Sequence, residues 1–281
     1  MPQLEAGLRA SVQAAMGTWD AAAAAGSSTP TTAAAAATAA PTSPGNVWAP
    51  SCCNEAQTTT LVLVFVYAVV IAVLWSRTPL LLPLKMVVIM LHEFSHATAT
   101  WLTCGTVDGI EVHSNQGGVT KTRGGNQFLI LSAGYLGSSF WGMVFILSTS
   151  NLYAVQAAAG ALAVMLLVSM AFAHNVSLAL LNVLFLALIA GFWACTLLTP
   201  FNGLRYFVLL VGTMSSGYSI WDIFDDLLAR KVEESDAVQL AKLTGTSSRC
   251  WGAIWALVAV LFFALAIYLT LVVEALGSNV G

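Results

Sequence analysis

The residues whose types and spacing suit chemistry are His92-Glu93-Phe94-Ser95-His96. On a helix, positions i and i+4 share a face, so both imidazoles reach one metal ion. Glu93 lies about 100° round the helix from His92, beside that face, where it can take a proton from a water held by the ion. Zinc lowers the pKa of such a water to about 7 and so makes a nucleophile available. Glu93 then serves as general base and afterwards as acid towards a leaving amine. Half of the chain's four histidines fall in this window. The window lies inside an apolar run, where ionisable groups are costly and functional by default.

A catalytic zinc site needs a third protein ligand and an open fourth position. Asp222 closes the apolar run Phe207–Trp221 and is the expected ligand, because it is the deepest of the late acids. Asp225 and Asp226 follow at i+3 and i+4 on the same helix face. Their plain reading is acids at the water boundary, with Asp226 paired to Arg230. His113 in a connecting loop and His174 next to Asn175 stay open as rival ligands, although an exposed histidine and a helix-capping pair describe them as well.

These residues need elements to hold them, and composition says what kind. Charged residues make up 8% of the 281 and hydrophobic ones 58%, against roughly 25% and 45–50% in soluble proteins. The stretch 124–204 contains no Asp, Glu, Lys or Arg. At about 20 residues per crossing, it accommodates three spans. The expected fold is an all-α polytopic membrane helix bundle of about seven transmembrane segments, near 58–75, 80–103, 128–148, 152–172, 176–198, 204–224 and 250–273. The motif falls in the second segment and Asp222 at the end of the sixth. Residues 1–57 are an Ala/Ser/Thr/Pro-rich tail with little to bury, and are expected to be disordered. The membrane domain is expected over 58–281.

Two connections are long. Residues 104–127 alternate β-branched positions around Gly117-Gly118 and read as a β-hairpin. Residues 225–249 are polar, and Ser235 caps a short helix that ends near Gly245. With seven crossings, both long connections and the tail share one side. That side carries Arg9, Lys121, Arg123, Arg230, Lys231, Lys242 and Arg249, against Arg77 and Arg205 on the other. The excess places the N-terminus in the cytosol. The net charge of −3 gives no reason to expect nucleic acid as a partner. The five cysteines show no metal-finger spacing and give no disulfide framework.

Three stretches, LHEFSHA (Leu91–Ala97), AGYLGSSFWG (Ala133–Gly142) and VGTMSSGYSIWDIFDDLLARKVEESDA (Val211–Ala237), resemble the M50 site-2 protease group and are most similar to its M50B-like peptidase branch. The resemblance implies a zinc ion (Zn2+) held by His92, His96 and Asp222, with Glu93 activating water. It implies hydrolysis of membrane-protein substrates within the lipid bilayer. Better-known members carry their aspartate in an N-x-x-P…L-D-G context, and here it stands as Trp221-Asp222-Ile223. A non-catalytic relative that binds client proteins is the alternative, and an intact Glu93 argues against it. A transporter needs further polar groups along a path, which the uncharged stretch does not supply. Gly134, Ser138 and Gly142 form a small-xxx-small face suited to close helix packing.

Overall fold

The structure is a computed structural model and describes residues 52–75, 79–113, 117–224 and 235–278. The chain is mostly helical, with one two-stranded sheet among the described residues. The helices are α1 (Glu55–Leu74), α2 (Leu82–Leu102), α3 (Gln127–Ser148), α4 (Leu152–Ala171), α5 (Val176–Leu198), α6 (Gly203–Phe224), α7 (Asp236–Thr244) and α8 (Ser248–Ser278). The strands β1 (Thr106–Val112) and β2 (Gly118–Arg123) lie between α2 and α3. Most of the expected tail lies outside the described residues, as do Asp225 and Asp226.

Asparagines start four of these helices. Asn54, Asn126, Asn151 and Asn175 each accept a hydrogen bond from a first-turn backbone N–H, and Asn54 completes a capping box with Gln57. Each cap satisfies a donor that a helix start would otherwise leave bare, worth about 1 kcal/mol. The short helix α7 follows the sequence reading closely. Ser235 stands at its N-cap position, though its hydroxyl makes no capping hydrogen bond, and Gly245 ends the helix in the left-handed conformation, φ 68°, which glycine adopts without a Cβ penalty.

Among the described residues five helices, α1, α3, α4, α5 and α8, are long and apolar enough to cross a membrane. The sequence leads one to expect seven. The other two segments, α2 and α6, also form full-length helices and carry more polar side chains among their apolar ones. Their polarity has a structural reason, because both are interior. Every residue of α2 from Leu84 through Glu93 is buried, and α6 buries Val208, Val211, Met214, Ser215 and Ser219. A helix that meets other helices instead of lipid tolerates polar side chains whose hydrogen bonds are satisfied internally.

The bundle is organised round α3, which packs on α2, α6 and α8. The small-residue face serves the α3–α6 interface. Ser215 Oγ donates to the Ser138 carbonyl at 2.8 Å, and Ser219 Oγ lies 2.9 Å from the hydroxyls of both Ser138 and Ser139. A Cβ on Gly142 would fall 2.6 Å from the Ser216 nitrogen, so the two backbones meet there. A buried ion pair near the start of α6 ties three helices together: Arg205 Nη2 lies 3.0 Å from Glu274 Oε1 of α8, which also accepts from Thr60 of α1 at 2.7 Å.

The hairpin runs antiparallel from Thr106↔Arg123 to Val112↔Gly118. Its β1 edge is fastened to the α4–α5 connection, where Ile110 N–H donates to Phe172 O and His174 N–H donates to Ile110 O. Both strands also pack on α2, which lays β2 beside the histidine motif.

Candidate metal centre

His92 and His96 lie one turn apart on α2, and their Nε2 atoms are 3.1 Å from each other. The third donor at this point is Asp236, the first residue of α7. Its Oδ2 lies 2.9 Å from His92 Nε2 and 3.1 Å from His96 Nε2. Among the described residues this is the one His/Cys/Asp/Glu group with metal-ligand spacing.

These distances can be compared with what an ion requires. Zinc bonds of roughly 2.0–2.1 Å to nitrogen and oxygen, in a tetrahedron, place the ligand atoms about 3.3 Å apart. The three sides observed are slightly shorter, so the donors need to open by only a few tenths of an ångström, about the tolerance for such bonds. The tautomer of His96 agrees, while His92 Nδ1 is buried without a hydrogen-bond partner among the described residues. His96 Nδ1 lies 2.6 Å from the Ile130 carbonyl oxygen, which accepts only, so Nδ1 carries the proton and Nε2 is left as the donor atom. Two imidazole nitrogens and a carboxylate oxygen converging on one point suit a cation.

Asp236 reaches the histidines because α7 docks on the bundle. Ala237 and Leu240, one turn apart, are buried in a cluster with Tyr135, Ile223 and Trp255. Burial alone would push the Asp236 carboxyl up. Where the imidazoles are protonated, the charges and hydrogen bonds of His96 and His92 outweigh it and hold the group well below the usual carboxylate range; a bound cation would take the place of those protons.

The placement of Asp222 differs from the expectation. Asp222 is not the acid brought to the histidines: its Oδ2 accepts a hydrogen bond from Tyr135 Oη at 2.9 Å. Tyr135 in turn sets its ring edge-on against His92, with centroids 4.6 Å apart. Asp222 therefore stands one residue removed from the histidines, and Asp236 is the acid that lies beside them. The rival histidines are elsewhere. His113 is half-exposed beside Glu111 and Asn175. His174 packs against Gly109, and Asn175 caps α5. The hairpin carboxylate Glu111, held low chiefly by its hydrogen bond from Lys121, belongs to that exposed group.

Glu93 is buried beside the donors and receives Thr120 of β2, whose Oγ1 lies 2.7 Å from Glu93 Oε2. Neither Asp236 nor Thr120 was marked by spacing. A usable signal for Asp236 was present in the Ser235-capped helix, whose Ala237/Leu240 face needs something to bury it.

Gly134 brings the α3 backbone up to the donors. A Cβ there would land on the Nε2 atoms of both histidines. Gly134→Ala is expected to displace the rings and weaken zinc binding by about 10–100-fold, the scale of losing an outer-shell support. Competition with a chromogenic chelator measures it.

The family model described as Peptidase M50B-like matches residues 64–266. The chain belongs to this family. The M50B-like match runs from α1 into α8 and contains the motif, Gly134, Asp222 and Asp236. Comparisons with curated proteins and with solved structures found no match. Membership of the M50B-like family, with five apolar helices, makes this an integral membrane protein of a peptidase family.

Proposed function

We propose that the chain is an intramembrane zinc metalloprotease that hydrolyses peptide bonds in or near the transmembrane segments of other membrane proteins. The observation that carries this reading is the meeting of His92, His96 and Asp236 within about 3 Å beside the buried Glu93, a donor set with room for one open position. In this reading α2 and α6 also cross the bilayer, enclosed by the five apolar helices, for seven spans in all.

Zinc held by the three donors would supply a Lewis acid at the reacting carbonyl and a more acidic water. Glu93 is placed to take a proton from the attacking water as the water's oxygen bonds to the carbonyl carbon. As the carbon–nitrogen bond breaks, the Glu93 carboxyl returns the proton to the departing nitrogen. One water is consumed, and a carboxylic acid and an amine are formed, which pass the remaining proton between them to give a carboxylate and an ammonium group. Burial of Glu93 and both histidines excludes bulk water and strengthens each charge interaction. A helical substrate hides its carbonyls in its own hydrogen bonds and must unwind before attack. The hairpin supports a strand-pairing role here, since β2 lies along α2 at the motif and pairs on one side only among the described residues.

The test compares membrane-protein fragments in cells that carry wild type or Glu93→Gln. New termini within or beside apolar segments, present with wild type alone, are the expected result. Identical fragment sets would overturn the reading.

A further inference from the structure

A general base on a helix must be aimed as well as placed. The Glu93 side chain has three rotatable bonds, and nothing on α2 itself fixes its carboxyl. The strand β2 does. Thr120 Oγ1 lies 2.7 Å from Glu93 Oε2 and 2.9 Å from the Glu93 carbonyl oxygen. The hydroxyl is therefore anchored to the backbone of the residue whose side chain it holds. Two residues earlier, on the same face of the strand, Gly118 lies against the same carboxyl, and a Cβ there would fall 2.8 Å from Glu93 Cδ. One strand face thus supplies both a hydrogen bond that fixes Oε2 and the space the carboxyl occupies.

We propose that Thr120 is a positioning residue for Glu93, so that the hairpin aims the base. Oε1 lies nearest Gly118, where any Cβ would collide with it, so with Oε2 held it is Oε1 that would take the water's proton and return it. A hydroxyl suits both halves of that cycle. It donates to the carboxylate, and it remains compatible with the carboxylic acid because its proton can turn to the Glu93 carbonyl. Valine has the same shape and neither ability. Serine has both.

This inference rests on the protease reading, and the experiment separates the two. The full chain is purified in detergent as wild type, Thr120→Val, Thr120→Ser and Glu93→Gln. Bound zinc per chain is measured, together with kcat and KM on fluorescein-labelled casein, an unstructured polypeptide with no helix to unwind. Thr120→Val is expected to keep its zinc and a KM within about twofold, and to lose about tenfold to a hundredfold in kcat, the scale of one hydrogen bond to a charged group. Thr120→Ser is expected within about threefold of wild type, on the same scale. The inference is overturned if Thr120→Val turns over within twofold of wild type, if serine fails to rescue, or if zinc is lost along with kcat. Wild type no faster than Glu93→Gln overturns the protease reading itself.

Discussion

Replacing Glu93 with glutamine is expected to leave about one zinc per chain and to cut hydrolysis by about 10²–10⁴-fold, the usual contribution of a positioned general base. Glutamine is nearly isosteric, and its amide oxygen can still accept from Thr120 Oγ1, which lies 2.7 Å from the Glu93 carboxyl. The histidine and aspartate donors are untouched, so the metal should stay. What disappears is the ability to take a proton from water and to hand it to the departing nitrogen. Metal analysis of the purified variant, paired with turnover, makes the two effects separable. A variant that keeps its zinc and cleaves as fast as wild type would remove Glu93 from the chemistry. A variant that loses zinc would show that the carboxylate supports the donors instead.

Much of the scaffold was legible because local chemistry and tertiary packing agree. Apolar runs predicted the helices to within a few residues, and asparagines mark four of their starts. The β-branched alternation around Gly117-Gly118 gave the hairpin, and Ser235 with Gly245 bracketed α7. The histidine pair was legible because helical periodicity alone sets its geometry. The number of crossings was less legible, since α2 and α6 are shielded by neighbours and need not be uniformly apolar. The third donor was not legible. Ranking the acids by depth along α6 favoured Asp222, but depth along one helix says nothing of an acid carried by a later element. Asp236 stands on a short helix whose buried Ala237 and Leu240 pack against Tyr135 and Trp255. Thr120 was unreadable for the same reason, because strand alternation does not reveal which helix a strand will lie on.

The choice between the two aspartates gives the second large effect. Asp236→Ala is expected to weaken zinc binding by more than about 100-fold, beyond the roughly 10–100-fold that loss of an outer-shell support costs, and to abolish turnover with it. The Asp236 carboxylate lies 2.9 and 3.1 Å from the two imidazole nitrogens, and without it the two buried histidines lose the one acid that completes a metal-ligand group among the described residues. Asp222→Asn is expected to keep its zinc. Its carboxylate faces the Tyr135 hydroxyl at 2.9 Å, and asparagine can accept that bond, so the Tyr135 ring stays against His92. Equilibrium dialysis against a zinc buffer measures both variants under one condition, and thermal melting in the same detergent checks that each is folded. If Asp222→Asn loses the metal while a folded Asp236→Ala retains it, the third ligand belongs to α6 and the docking of α7 is structural.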